Sequence, residues 1–196
     1  MGMGTLIDRT NLTRWGRWVG TFIGFPLAGV TARLVAGDID STGAALVGGL
    51  AGGAVLGLLQ ASIGGLDRTS WIRWTGATAL GLSVGLAAGA GSVGFDTDTA
   101  SLVTMGAISG AVVGIAQALA IPMRTSDRIA WALATPALWA LGWFITSQVI
   151  VDADTHHATF GASGALAVSA LAGVLHVVRQ STKNTTNTTR TMAVAR

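Results

Sequence analysis

Residues 151–157 read VDADTHH, which puts Asp152, Asp154, His156 and His157 within seven positions. Carboxylate oxygens and imidazole nitrogens are metal ligands, and two histidines in the set favour a transition metal over calcium or magnesium. The same Asp-x-Asp spacing occurs twice more, as Asp38 and Asp40 in GDIDST and as Asp96 and Asp98 in FDTDTA. Brought together, these oxygens form a ring that attracts or holds hard cations. A second reading stands beside that one. Each pair precedes an apolar run, with Ser41 and Thr42, Thr99, or Thr155 next to it. Asp, Ser and Thr at such positions accept hydrogen bonds from free backbone N–H groups and favour the positive end of a helix dipole. Asp8, Asp67 and Asp127 precede other apolar runs and read the same way.

A different set of polar residues lies inside the apolar runs. Gln60, Gln117 and His176 each stand three residues after the last glycine of a row, after Gly57, Gly114 and Gly173. Three residues along a helix keeps nearly the same face. The three side chains are therefore expected at equivalent places near one end of their helices. They serve there either as interhelical hydrogen bonds or as an inner polar constriction, with His176 titratable near neutral pH. Arg33 is expected about one turn from the opposite end, where it can reach the interface and pair with Asp38 or Asp40. The stretch GASG at 161–164 resembles the nucleophile motif of rhomboid proteases. In that family the histidine lies on a later span, whereas His176 follows Ser163 on the same helix, so no base reaches the serine.

The elements that must position these residues are membrane spans. Of 196 residues 51% are hydrophobic and 11% charged, and mean hydropathy is +0.59. A hydrocarbon core about 30 Å thick takes roughly 20 residues of helix. Six segments qualify, near 19–37, 43–65, 71–93, 101–121, 129–151 and 158–178. The absence of cysteine excludes disulfides and thiolate chemistry. No cleavable signal peptide is expected, since Asp8, Arg9, Arg14 and Arg17 precede the first apolar run. Apart from Arg33, every basic residue falls on one side of these spans. The positive-inside rule then puts both termini in the cytoplasm of a bacterial inner membrane. The sequence pI near 11.0 reflects this basic belt, with no nucleic-acid surface expected. Trp15, Trp18, Trp71, Trp74 and Trp131 lie on the same side and read as interface anchors. Trp139 and Trp143, deeper in the fifth span, read as packing or as a cofactor-facing pair. No cofactor is specified by the sequence.

The spans form an internal repeat. DRTNLTRW at 8–15 matches DRTSWIRW at 67–74, and DRIAWALA at 127–134 is a weaker third copy. Each copy runs into an apolar span, an Asp-x-Asp, and a second span with small residues every fourth position. Those rows are Gly49, Gly53 and Gly57; Gly106, Gly110 and Gly114; and Gly161, Ala165, Ser169 and Gly173. Gly81, Gly85 and Gly89 repeat the device in the third span, as do Gly16, Gly20 and Gly24 in the first. Small residues let helix backbones approach and gain dispersion contacts that lipid does not offer. The expectation is an all-α, polytopic domain over 1–178, of three parallel helical hairpins (about 8–65, 67–121 and 127–178) around a pseudo-threefold axis. Residues 179–196, polar and Thr-rich, make a disordered cytoplasmic tail. Its Asn-Thr-Thr sequons are not expected to be used there. Pro26 and Pro136 are expected to kink spans one and five.

The run from Gly57 and Gln60 through Trp71 and Trp74 to Gly81, Gly85 and Gly89 resembles the Gly-rich, Trp-punctuated repeats of uncharacterised bacterial multi-span membrane proteins. The resemblance implies a membrane repeat protein and carries no activity. Three two-helix repeats are similar in topology to mitochondrial carriers, but the carrier Pro-x-[Asp/Glu]-x-x-[Lys/Arg] motif is absent. The functional expectation is a non-enzymatic protein that acts by helix packing, as a homo-oligomer or as an accessory subunit with other membrane subunits. The alternative is a small cation channel or transporter with the Asp residues as an outer ring.

Overall fold

The computed structural model describes residues 9–149, 165, 167 and 169–171, and these are all-helical apart from short connections. Helix α1 spans Arg9–Gly20, followed by a 3-10 turn over Thr21–Ile23 and by α2, Gly24–Ala36. The 3-10 turn has a local cause in Pro26, which lacks the N–H that would reach back toward Phe22 and crowds the preceding turn. Pro136 is carried inside α6, Thr125–Val149, without a break in the helix. Between them lie α3 (Thr42–Gly64), α4 (Arg68–Ser92) and α5 (Thr99–Ala120).

The helix ends are specified by short-range chemistry. Ser41 Oγ accepts from the Ala44 N–H at 3.3 Å to start α3, Asp67 accepts from Thr69 and Ser70 to start α4, and Asp98 accepts from Ser101 to start α5. Helix α3 stops at Gly65, whose φ of +70° turns the chain left-handed, and Leu66 N–H then bonds to the Ala61 carbonyl at 3.1 Å. Asp127 departs from its expected place before the fifth span. It lies within the first turn of α6, where a carboxylate still favours the helix dipole.

Four helical stretches among the described residues are long and apolar enough to cross a membrane: Trp15–Ala36, Thr42–Gly64, Thr99–Ala120 and Thr125–Gln148. The make-up is compatible with an integral membrane protein. The third expected span is α4, whose 25 residues suffice in length, but its Gly, Ser and Thr content leaves it outside these four. The sixth expected span is described only at 165, 167 and 169–171, where the chain is helical. Asp8, Asp152, Asp154, His156, His157, Gly161, Ser163, Gly173, His176 and the tail at 179–196 lie outside the described residues.

The helices pack in chain order, α2 on α3, α3 on α4, α4 on α5 and α5 on α6. Phe25 of α2 meets Trp139 of α6 edge-on with ring centroids 5.7 Å apart, so the series closes on itself. Glycines set the distances. A methyl group at Gly49 would stand 2.7 Å from the Leu82 carbonyl oxygen, at Gly53 2.8 Å from Ala79 Cα, and at Gly57 2.9 Å from Thr75 Cα, so this row faces the α4 backbone. Gly81, Gly85 and Gly89 face Val113, Ser109 and Met105 of α5 at 3.1, 3.0 and 2.8 Å in the same sense. Gly106 faces Trp143 and the Trp139 carbonyl of α6, while Gly110 and Gly114 face Pro136 and Thr135. A second row on α3 serves α2, where Gly52 would meet the Ala28 carbonyl at 2.7 Å. The row expected at the start of span one is weaker. Gly24 approaches Leu56 at 3.1 Å, Gly20 makes an ordinary 3.7 Å contact with Ile63, and Gly16 has nothing within 4 Å. This close approach lets hydroxyls bond across helices, Ser83 to the Leu46 carbonyl at 2.8 Å and Ser109 to the Gly85 carbonyl at 3.1 Å.

Candidate functional site

Gln60 lies in the last turns of α3 and Gln117 in the last turn of α5, and the structure brings them together around Thr78 of α4. Gln117 Nε2 donates to Thr78 Oγ1 at 2.9 Å and to Gln60 Oε1 at 3.3 Å. Trp74 Nε1 donates to Gln60 Oε1 and Trp131 Nε1 to Gln117 Oε1, both at 3.1 Å. An indole N–H can only donate, so each tryptophan fixes which way its glutamine amide faces. The resulting direction is unambiguous. Trp131 donates to Gln117, Gln117 donates to Gln60, and Trp74 donates to the same Gln60 oxygen. The Gln60 NH₂ is left with no hydrogen-bond partner among the described residues.

This node changes the part expected of the tryptophans. Trp74 is 4% exposed and turned inward, where an interface anchor was expected. Its ring lies 5.8 Å from that of Trp131, which lies 5.7 Å from that of Trp18. Trp71 does stay near the surface and bonds to Ser62 Oγ at 2.9 Å. Trp15 donates to the Ala170 carbonyl at 3.3 Å and ties α1 to the described part of the last segment. The sequence match aligned Trp131 with Trp71 through the shared Asp-Arg. By hydrogen bonding, however, Trp131 corresponds to Trp74, since each stands 14 residues after its glutamine.

The interval of 57 between the two glutamines recurs through the interior. Thr21, Thr78 and Thr135 follow it, and each hydroxyl donates to the carbonyl of a tryptophan one turn back, Trp18, Trp74 and Trp131, at 2.6, 2.8 and 2.7 Å. Phe25, Leu82 and Trp139 follow it too, as do Gly29, Leu86 and Trp143. These six line a partly open apolar cavity of about 60 Å³. Another cavity of about 30 Å³, mainly apolar in surface but with the polar side chains of Gln60, Gln117, Thr21, Thr135 and Ser169 in its wall, adjoins the node (the polar cavity). Phe25 and Trp139 belong to both walls. Trp139 and Trp143 are therefore core residues, 6% and 5% exposed, that also bound a space. Ala165 and Ser169 of the small-residue row that runs from 161 to 173 are buried.

The opposite end holds the acids. Asp38 and Asp40 are exposed on either side of buried Ile39, which packs over Gly48. Asp38 pairs with Arg33 at 3.6 Å, and both are substantially exposed. Asp96 accepts from the N–H groups of Thr97 and Asp98 at 2.7 and 3.2 Å. Asp98 accepts from the Ser101 N–H at 2.9 Å and its hydroxyl at 3.0 Å. The Ser101 N–H, then its hydroxyl, hold the Asp98 carboxyl below its ordinary value of 3.8. Asp67, at the basic end, is lowered likewise, first by the Ser70 hydroxyl. No group of three or more acid or histidine side chains able to hold a metal occurs among the described residues.

Comparison with protein families, with curated proteins and with solved structures gives no match. What fold and site define is a class: an all-helical bundle with four candidate membrane-crossing stretches, closed around a tryptophan-glutamine node and an apolar cavity.

Proposed function

We propose that this chain is a non-enzymatic integral membrane protein that acts by helix packing, as a homo-oligomer or as an accessory subunit of a membrane complex. The observation that carries the reading is the outward face of α4. Ile72, Gly76, Leu80, Val84 and Ala88 recur every fourth residue there and are all exposed, with nothing within 4 Å of a methyl at Gly76. This helix is also the long one that falls outside the four most apolar stretches. A face with small residues at helical spacing, on the helix least suited to lipid, fits another helix better than it fits acyl chains. The rows Gly49, Gly53 and Gly57; Gly81, Gly85 and Gly89; and Gly106, Gly110 and Gly114 are engaged within the molecule and are not available to a partner.

The finer architecture belongs to the same proposal. Six spans form three parallel hairpins about a pseudo-threefold axis, and the interval of 57 shared by interior residues supports this. Arg17, Arg68, Arg73, Arg124 and Arg128 gather at one end, which supports cytoplasmic termini in a bacterial inner membrane. The test is the mass of the particle extracted from its own membrane. An oligomer or a co-purifying subunit is expected, and a strictly monomeric, partner-free particle overturns the reading. Because the chain has no cysteine, Leu80→Cys also reports directly: oxidation cross-links copies that meet through α4.

A cation channel or transporter is the second reading, favoured by the polar cavity beside Gln60 and Gln117. It has less support, because Asp96 and Asp98 hold their own loop and the glutamines hold each other. Ion flux into liposomes, lost in Asp96→Asn with Asp98→Asn, would establish it; no flux with the unaltered chain removes it.

A further inference from the structure

The Gln60 amide presents an opening that the packing leaves unfilled. Its oxygen is engaged by two donors, and its NH₂ has no partner among the described residues. Gln60 lies in the wall of the polar cavity, so this donor borders a space of about 30 Å³. That space exceeds the roughly 10–15 Å³ that one water-sized group requires. Gln60 is half-buried, and wherever bulk water does not reach its amide a donor without an acceptor is costly. The Thr21 and Thr135 hydroxyls in the same wall have given their protons to backbone carbonyls, so they offer acceptor lone pairs to the space. A hydroxyl group satisfies both kinds of partner, and a carbonyl satisfies the amide.

The second cavity shares Phe25 and Trp139 with the first. Its wall is hydrocarbon, aromatic ring and glycine, apart from Ser109, whose hydroxyl is bonded to the Gly85 carbonyl. It is partly open, at about 60 Å³. Among the described residues, no ionisable side chain lines either space. A charged group there would be desolvated and unpaired, so the occupant is neutral.

We propose that the two cavities form one site for an uncharged amphiphile, with a hydroxyl or carbonyl head at Gln60 and a hydrocarbon body lying past Phe25 and Trp139 toward Trp143. The bilayer is the source, and the far end of the hydrocarbon extends out of the open side. This site is independent of whether the protein works as an oligomer.

The experiment is quenching of tryptophan fluorescence in the detergent-purified full chain by a terminally brominated long-chain alcohol. The matching bromoalkane and bromocarboxylate are the comparisons. Saturable quenching is expected with the alcohol, at a midpoint about tenfold below that of the alkane, as one well-made hydrogen bond allows. The carboxylate should be weaker than the alcohol. Gln60→Met should abolish the preference for alcohol over alkane. Ala32→Leu, whose larger side chain intrudes on the apolar wall, should weaken both probes. The comparison of three heads on the unaltered chain does not depend on any variant folding. Equal midpoints for alcohol and alkane, a carboxylate as tight as the alcohol, or no saturation at all overturns the proposal. So does a folded Gln60→Met that keeps the preference, as it would if the polar cavity held water alone.

Discussion

At the end that carries Arg68, Arg73, Arg124 and Arg128, the polar interior residues reach across helices. Gln60 of α3, Thr78 of α4, Gln117 of α5 and Trp131 of α6 are joined by hydrogen bonds spanning up to 57 residues of sequence. Arg128 Nε reaches back to the Ala118 carbonyl at the end of α5, at 3.0 Å. At the opposite end, among the described residues, Asp38, Asp96 and Asp98 make their ion pair and hydrogen bonds with groups within five residues of themselves. The difference follows from solvation. An amide or indole N–H facing hydrocarbon must find a protein partner, whereas a carboxylate in a loop can stay in water and cap a helix. One end therefore specifies which helices are neighbours, and the other specifies only where α3 and α5 begin.

Gly53→Leu should break both ends at once and have the largest effect. The new side chain would start 2.8 Å from the Ala79 Cα and the Thr78 carbonyl, and backbone cannot yield as a side-chain tip can. Overpacking costs about 1–3 kcal/mol even where neighbours adjust, and more where they cannot. The expected outcome is failure to recover a monodisperse particle in detergent, with Leu58→Ala on the exposed face of the same helix as the tolerated control.

Gln117→Leu comes next and should act at the basic end alone. It orphans the Trp131 N–H and one acceptor each on Gln60 and Thr78. Unsatisfied buried groups cost about 1–3 kcal/mol apiece. Thermal unfolding in detergent should fall by several degrees, and tryptophan emission should change as Trp131 loses its partner. Gln60→Leu and the double variant complete a cycle, and a coupling of at least about 0.6 kcal/mol is expected for a direct bond in this setting. Strict additivity would show that the glutamines only happen to be near one another.

The unequal legibility of the two ends has the same physical root. Caps are local, so GDIDST and FDTDTA could be read as helix starts from a few adjacent letters. Glycine rows at four-residue spacing are also a single-helix pattern. The all-helical class was accessible for this reason, and so was the pairing of Arg33 with Asp38. Which helix each row faces is not local, and Gly16, which fits the pattern, meets nothing. Trp74 departs from its expected place because indole suits both a headgroup interface and a buried hydrogen bond, and position along a span does not separate the two. A usable signal was present in the constant spacing of 14 from Gln60 to Trp74 and from Gln117 to Trp131. It was hidden by the stronger match of Asp-Arg at 67 and 127, which shifts the third copy by three residues, nearly one helical turn. Likewise Asp127 matches Asp67 in sequence yet sits inside its helix. Span counting by length and apolarity identified α4 as a helix but not the lower hydropathy that sets it apart.

Asp98→Ala probes the acidic end with a smaller expected effect. It removes the acceptor for the Ser101 N–H and hydroxyl, frays the start of α5, and should leave the glutamine coupling untouched. Asp98→Asn keeps a capping oxygen and should lie close to the unaltered protein in thermal unfolding. A loss for Asp98→Ala as large as that for Gln117→Leu would mean that the loop is a tertiary contact after all.

The smallest effect is in pH, and it separates cap from node by kind as well as size. The folded carboxyls of Asp67 and Asp98 titrate below 3.8 because the Ser70 and Ser101 groups bond to the charged form. Around and below 3.8 the unfolded chain binds more protons than the folded one. The contribution of both caps is thus fully present above 3.8 and is lost as pH falls through the lower folded values. Unfolding temperature should be flat from neutral pH down to that point and then decline, and Asp98→Asn should show a shallower decline. Among the described residues the node contains glutamine, threonine and tryptophan, none of which titrates there. The Gln60–Gln117 coupling should therefore stay constant across the same range. A coupling that falls in acid in the unaltered chain but not in Asp98→Asn would mean that the two ends are mechanically joined through α4 and α5.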